Sequence, residues 1–405
     1  MFLRCIEPGC KTTFALHEQV LACPHCGDLL EAVVELQADP SQLKTIWRER
    51  RCSDKPMDRS GVWRFREVLP NDYPEDTIVT LAEGNIPLVK GNRTAEWAGS
   101  HNLRFKHLGW NPTGCFKDLG MTVGITEAKF LGATAVGCAS TGNTAGSMAA
   151  YAARAGITAK VFLPAGAVSL NKVAQSLDFG AEVVEMEGNF DRALNALLMD
   201  RGSGLYFLNS INPFRVEGQK TVMYELMEQL NWEPPDYILV PGGNLGNSAA
   251  FGKALEEMAA FGFITKLPKL VVVQARGSNA LVRTAAANDG SLHAVENPET
   301  FATAIRIGNP RSWKKSLRGI RFSHGLVIDV TDHEIAEGKA IIGRDGIGCE
   351  PASATTLAGL RYLIAAGEIE RDATVIAILT GHALKDTDFI IKSHQRQFVH
   401  AETVA

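Results

Sequence analysis

The first group able to do covalent chemistry is the amine of Lys117, in Asn111-Pro112-Thr113-Gly114-Cys115-Phe116-Lys117-Asp118-Leu119-Gly120. The alternating stretch Leu103–Leu108 predicts a strand before it, a Pro/Gly turn follows, and a helix is predicted from about Phe116. Lys117 then lies in a first helical turn, beside the partial positive charge of the helix N-terminus. Phe116 is its apolar neighbour, and both surroundings lower an ammonium pKa. An amine of low pKa is what a Schiff base to an aldehyde cofactor requires. The plain alternative is one more surface lysine, and only the rest of the chain separates the two.

Two further polar turns sit where apolar runs end. Ala135–Ala139 reads as a buried strand and leads into Ser140-Thr141-Gly142-Asn143-Thr144-Ala145-Gly146, with a helix expected over Ser147–Ala155. Hydroxyls, an amide and free backbone N–H groups at a helix start suit a carboxylate; a plain N-cap needs only one such residue. Asp236–Val240 is a strand followed by Pro241-Gly242-Gly243-Asn244-Leu245-Gly246-Asn247 and a helix from Ser248. This turn has neither dinucleotide nor P-loop spacing, so a small phosphorylated cofactor fits better. Between them, Asn209-Ser210-Ile211-Asn212-Pro213-Phe214-Arg215 and Lys220 form a polar loop and helix start able to hold a phosphate. An exposed loop with chance basic residues reads equally well there.

Cys5, Cys10, Cys23 and Cys26 are four of the eight cysteines and fall within 26 residues. The knuckle Cys23-Pro24-His25-Cys26-Gly27 and a second pair a dozen residues earlier fit a tetrahedral thiolate zinc site of ribbon type. The C-x4-C spacing of the first pair departs from the usual C-x2-C. A metal-free relic of such a fold and redox chemistry stand as alternatives, and a closed four-thiolate site would be structural. His17 and His25 are spare ligands.

These residues need elements to position them. With 405 residues and 45% hydrophobic content the chain can bury a large core and divide into lobes. A net charge of −4 without a basic block argues against nucleic acid. An apolar secretory core at the N-terminus and any membrane-length apolar run are both missing, so a cytoplasmic protein is expected. Strands at Ala159–Leu163, Ala181–Glu185, Leu270–Gln274 and Thr374–Leu379 alternate with helices at Leu170–Phe179 and Asn189–Met199, which implies parallel sheets. Ligands gather at the carboxyl ends of such strands. Asn143, the Gly242–Asn247 turn and Thr380 all lie there. His382, also at a strand end, is read as a structural hydrogen-bonder. Residues 38–80 form a collar with Trp47 and Trp63 as anchors, a helix over Pro40–Arg51 and an extended segment from Gly61.

At this point the chain resembles the threonine synthase family, PLP-dependent enzymes with the tryptophan-synthase-β type fold (fold type II). The resemblance runs from about Gly61 to Lys385, carried by NPTGCFKDLG, ASTGNTAG, NSINPFRVEGQKT, VPGGNLGN, GCEPASA and LTGHALKD in the family's order. GVWRF and FKDLGMT look closest to the branch that includes plant enzymes. It implies an α/β fold of two lobes, each a mainly parallel sheet flanked by helices, plus a small N-terminal zinc-ribbon-like segment. The implied division is a ribbon over residues 1–37, a collar over 38–80 and a catalytic region over 81–405. Within the last, a small mobile lobe spans about 111–229 and a large lobe about 81–110 plus 230–395.

The resemblance also implies roles. Lys117 would carry the pyridoxal 5′-phosphate and shuttle protons, and Asn143 would bond its 3′-oxygen. Gly242, Gly243, Asn244, Leu245, Gly246 and Asn247 would bind the cofactor, its phosphate resting on Gly243 through Asn247, and Thr380 would face the pyridine nitrogen. Ser140, Thr141 and Thr144 would take the substrate carboxylate, and Asn209, Ser210 and Arg215 its phosphate. The implied reaction converts O-phospho-L-homoserine and water to L-threonine and phosphate, in a homodimer. Cys115 stands where the family usually has Ser, and Ala167 where many members have Lys; both bear on substrate identity. Related alternatives are β-replacement on O-phosphoserine (cysteate-synthase-like) and a hydroxyamino-acid dehydratase. A non-catalytic metabolite binder is a third reading, against which the intact Lys117, Asn143 and Thr380 speak.

Overall fold

The computed structural model describes residues 1–140, 142–165, 170–187 and 204–394. Thr141, Ala167 and the helix expected over 189–199 lie outside the described residues. Three sheets organise the rest. Strands β1 (Phe2–Cys5), β2 (Thr13–Phe14) and β3 (Leu30–Val33) form an antiparallel sheet in the order β2-β1-β3. The largest sheet draws on β4 (Leu88–Lys90), β5 (Asn102–His107), β10 (Tyr237–Pro241), β11 (Lys269–Ala275), β12 (Leu326–Val330) and β13 (Thr374–Leu379). Its order is β12-β11-β10-β13-β5-β4, parallel except for the β4 edge. A four-stranded parallel sheet holds β6 (Ala135–Cys138), β7 (Thr158–Pro164), β8 (Glu182–Met186) and β9 (Leu205–Phe207), in the order β8-β7-β6-β9.

The central strands are apolar along their length because helices cover both faces. In β13 every residue after Thr374 is buried, and β6 is buried throughout. The helices that matter below are α1 (Pro40–Arg50), α2 (Lys117–Phe130), α3 (Asn143–Ala155), α4 (Leu170–Asp178), α5 (Pro213–Gln229), α6 (Gly246–Phe261), α7 (Trp313–Phe322) and α8 (Pro351–Ala365). Two start earlier than the sequence suggested: α3 at Asn143 rather than Ser147, and α6 at Gly246 rather than Ser248. The small residues Gly142 and Gly246 let the chain turn into the helix without a side-chain cap. Asn143 and the Gly-rich turn thereby stand at bare helix N-termini.

Trp47 and Trp63 are both fully buried. Trp47 is 0% exposed and packs against Phe65, Tyr224, Trp232 and Phe263 at ring separations of 5.1–5.9 Å. Trp63 is buried too, its indole N–H donating to Thr122 Oγ1 at 2.8 Å. The chain around the second of these anchors departs from the extended form expected of it. The segment from Gly61 is not extended, because Trp63–Val68 winds into a 3-10 helix. The Ser60 hydroxyl accepts from the amides of Val62 and Trp63, both at 3.1 Å, which starts a helical turn.

The crossing of α2 and α5 fixes the approach of two functional segments. Glycines stand on both sides: a Cβ on Gly218 would lie 1.9 Å from the carbonyl oxygen of Leu119, and one on Gly120 would lie 2.8 Å from that of Arg215. Backbone therefore meets backbone, and no larger residue fits without parting the helices. Gly218→Ala is expected to lower the unfolding free energy by at least ~2 kcal/mol, measured by urea titration.

Candidate active site

Lys117 is the first residue of α2. The segment before it is stitched to the end of β13: Phe116 N–H donates to Thr380 O at 2.9 Å, and His382 N–H to Gly114 O at 2.9 Å. The next residue, Asp118, ties α2 to α3 by accepting from Ser147 Oγ at 2.5 Å and from Thr113 N and Oγ1 at 2.7 and 2.5 Å. Burial raises the Asp118 carboxyl to about 6 despite these donors. The Lys117 ammonium rests 4.1 Å from the centre of the Phe116 ring. Burial is the main force lowering its pKa to about 8, and the positive charge of Arg215 adds to it.

Arg215 is 2% exposed near the start of α5, which Asn212 caps by accepting from the amides of Phe214 and Arg215 at 3.0 and 3.4 Å. Its Nη1 donates to Leu208 O at 2.9 Å, Nε is buried without a partner, and it pairs with no carboxylate among the described residues. Burial pulls its pKa down to about 10. Lys220, one turn on, does not reach the cleft. It lies in a buried network with Glu217 at 2.6 Å and Glu257 at 2.7 Å, because the helical turn aims it into the core.

Lys117, Arg215, Asn209, Ser210, Ser140, Asn143, Thr144, Thr380 and the Gly243–Asn247 turn all line one cleft of about 1320 Å³ between the two parallel sheets. Gly242 stands behind it, its amide donating to Val273 O at 2.8 Å and its α-carbon packed where a Cβ would meet Val272 at 2.7 Å. Asn209 Oδ1 accepts from Ala139 N at 3.0 Å. Asn244 joins two motifs, donating to Ser210 Oγ at 2.5 Å.

Leu245 caps α6 in the left-handed region at φ 65°, an unusual conformation for a leucine. It turns successive amides into one concavity at a helix N-terminus, an anion-binding arrangement. The amides of Gly243, Asn244, Leu245, Gly246 and Asn247 find no acceptor among the described residues. A low-pKa amine and this concavity in one cleft fit a phosphorylated aldehyde, so the residues present suit pyridoxal 5′-phosphate.

The sequence reading passed over Glu350. It is buried between Asn143 and Thr380, accepting from Asn143 Nδ2 at 2.9 Å and Thr380 Oγ1 at 2.9 Å, and burial raises its pKa. Its signal was a lone carboxylate in the uncharged small-residue run Gly346–Ala354. Ser353 Oγ lies 3.0 Å from Thr380 Oγ1 and completes the cluster. Cys115 is buried, with Sγ 3.8 Å from Asn143 O, and burial pushes its thiol up to about 11. His382 Nδ1 accepts from Leu384 N at 3.2 Å.

Away from the cleft, the sulfurs of Cys5, Cys10, Cys23 and Cys26 all lie within 4.8 Å of one another. His17 is not among them; it bridges Glu127 and Asp72, each at 2.9 Å, and these carboxylates raise its pKa to about 9 against the opposing effect of burial.

The sheet pair and the lysine at their junction define a PLP-dependent enzyme of fold type II. The sequence profile of the family described as pyridoxal-phosphate dependent enzymes matches residues 79–381. A threonine synthase of Methanocaldococcus jannaschii is 44% identical over 397 residues, covering 98% of this chain and 95% of the relative. One from Methanosarcina acetivorans is 45% identical over 395 residues, covering 96% and 93%. Among solved structures, threonine synthase from Escherichia coli superposes with a TM-score of 0.72 at 18% identity, covering 99% of this chain and 93% of that one. Maize serine racemase gives 0.64 at 20% identity, covering 78% and 92%, which shows the shared fold alone. The chain belongs to the pyridoxal-phosphate dependent enzymes and, within them, to the threonine synthase family.

The Lys117 shift has a consequence for stability. Below about pH 8 the amine is protonated both folded and unfolded, and burying its charge costs the folded state. Between about 8 and the ordinary 10.5 the unfolded chain holds a proton that the folded chain has lost, so stability rises with pH. Lys117→Met should therefore make the cofactor-free protein more stable at neutral pH. That advantage should shrink as pH rises through this window, as followed by urea unfolding across a pH series.

Proposed function

We propose that the protein converts O-phospho-L-homoserine and water to L-threonine and phosphate with bound pyridoxal 5′-phosphate. The observation that carries this reading is the buried Arg215 guanidinium, with Nε unpartnered and no carboxylate beside it among the described residues, in the same cleft as Lys117 and the Gly243–Asn247 amides. One anion site serves a cofactor phosphate, and the second is left for a substrate phosphate. Relatives at 44 and 45% identity, named threonine synthases, support the same conclusion.

When bound, the cofactor supplies an electron sink for negative charge developing on the substrate's carbon skeleton. Ser140, Thr141 and Thr144, with the free amides at the start of α3, bind the substrate carboxylate. Asn209, Ser210 and Arg215 bind its phosphate, so the molecule is held at both ends and its α- and β-carbons face Lys117. The Lys117 amine, whose pKa is brought to about 8, takes the proton from Cα and later the one from Cβ. The Cγ–O bond breaks as phosphate leaves, one of the two protons goes to Cγ, water adds its hydroxyl at Cβ while its proton goes to the phosphate, and the other proton returns to Cα, which balances to threonine and phosphate. Asn143 and Thr380 would hold the cofactor ring, and the Glu350 carboxylate fixes both of their side chains.

The small lobe, about residues 111–229, closes on the large lobe, about 81–110 plus 230–395, and excludes bulk water until the hydration step. Residues 38–80 serve as a collar, and residues 1–37 as a zinc-ribbon-like segment supported by the four-sulfur cluster. The enzyme works as a homodimer in the cytoplasm.

The test is a paired assay on wild type and Lys117→Ala, quantifying phosphate and threonine from O-phosphohomoserine. Equal release of the two is expected, with a loss on the order of a thousandfold in the variant. Bound cofactor without threonine formation would overturn the substrate assignment.

A further inference from the structure

The four N-terminal cysteines come from two separate turns. Cys5 ends β1 and Cys10 follows it, while Cys23 and Cys26 flank the second knuckle. Their sulfurs pair across these turns, Cys5 with Cys26 at 3.4 Å and Cys10 with Cys23 at 3.5 Å. Four ligands at about 2.3 Å from a tetrahedral zinc ion stand roughly 3.8 Å apart, and this set already has that size. Thr12 Oγ1 lies 3.1 Å from Cys10 Sγ, an outer contact of the kind that orients a thiolate ligand. The sheet around the cluster has strands of four, two and four residues. Strands so short do not hold a register unaided, and small domains of this size use a metal as their core.

This small sheet is tied to the catalytic body at a particular place, the first turn of α7. Lys314 pairs with Glu7 at 2.9 Å and with Asp28, whose backbone carbonyl accepts from Cys23 N–H in the second knuckle. The buried ammonium of Lys315 donates to Leu30 O in β3 at 2.5 Å. The two residues just before this turn hold the phosphate concavity: Arg311 N–H donates to Asn244 Oδ1 at 2.7 Å, and Ser312 N–H to Asn244 O at 3.4 Å. The turn is thus clamped to the cysteine knuckle on one side and to Asn244 on the other. A second tie runs to α6 itself, where Lys253 Nζ donates to Ala32 O at 2.5 Å while pairing with Glu217. Ser248 and Ser316 join α6 to α7 through their hydroxyls at 2.7 Å.

We propose that Cys5, Cys10, Cys23 and Cys26 bind one zinc ion, and that the metal-held sheet braces the Gly243–Asn247 concavity through the first turn of α7. Metal occupancy then sets how tightly the protein retains a phosphorylated cofactor. Each metal bound displaces the thiol protons of its ligands, and no redox change is involved. Without the ion, β3 loses its register, Leu30 O and Ala32 O no longer meet the ammonium groups of Lys315 and Lys253, and Asn244 loses its fixed neighbour. The brace rests on the zinc-ribbon reading, and the coupling to cofactor is the new element.

The experiment measures zinc per chain by elemental analysis and the pyridoxal 5′-phosphate dissociation constant by equilibrium dialysis. Both are read for wild type, for wild type stripped by a mercurial with chelator and then resupplied with thiol and zinc, and for Lys315→Met. One zinc per chain is expected in the native protein. Stripping should weaken cofactor binding about tenfold, with zinc restoring it. Lys315→Met should keep its zinc, since it touches no cysteine, yet bind the cofactor more weakly. A native protein that neither contains nor takes up zinc would overturn the metal site and the brace together. Zinc present, with cofactor affinity unchanged on both stripping and Lys315→Met, would overturn the brace alone. Neither result depends on which amino acid the enzyme turns over.

Discussion

Two cations facing one cleft, a half-buried Lys117 and a buried Arg215, are the constraint around which the catalytic body is arranged. Lys117 and Arg215 repel each other, and burial lowers the pKa of both. No carboxylate neutralises Arg215 among the described residues. Such an arrangement is unfavourable in the free protein and is relieved when an anion enters. The cost is met by ordinary core packing elsewhere, above all by the facing glycines that lock α2 against α5. The same contact fixes the approach of the two helices that carry these groups.

The surrounding polar groups are organised by sharing. Glu350 accepts from both Asn143 and Thr380, which follow strands of different sheets, and Asn244 links Ser210 to the loop before α7. Each functional group therefore has its geometry set by an element other than its own. Side chains pre-positioned in this way lose little freedom when a ligand arrives, which is how a site gains orientation without new contacts.

Buried charge elsewhere in the molecule is treated differently. Lys220, Lys253, Glu217 and Glu257 neutralise one another between α5 and α6, and Arg64 pairs with Glu228 at 2.7 Å. Each of these charges has a counter-charge within reach, so none of them calls for an anion or cation from outside. The contrast with Arg215 separates a structural arginine from one available to bind, although both sit on or against the same helix.

The sequence by itself determined the elements and most of the chemistry. Apolar runs fixed the buried strands, and the polar turns after β6, β10 and β13 were legible because such turns at strand ends have few structural uses. Short-range physics also sufficed for Lys117 at a helix start and for the cysteine pairs, since both depend on neighbours within a few residues. What tertiary structure decided was everything set by contacts distant in sequence. Arg215 lowers the Lys117 pKa across a helix crossing, Lys220 turns into the core instead of the cleft, and Glu350 lands between residues 207 and 30 positions away. The start of α6 at Gly246 and the left-handed Leu245 belong to the same class. Burial and long-range pairing set a group's charge state and partners, and neither is encoded in the local pattern of residues.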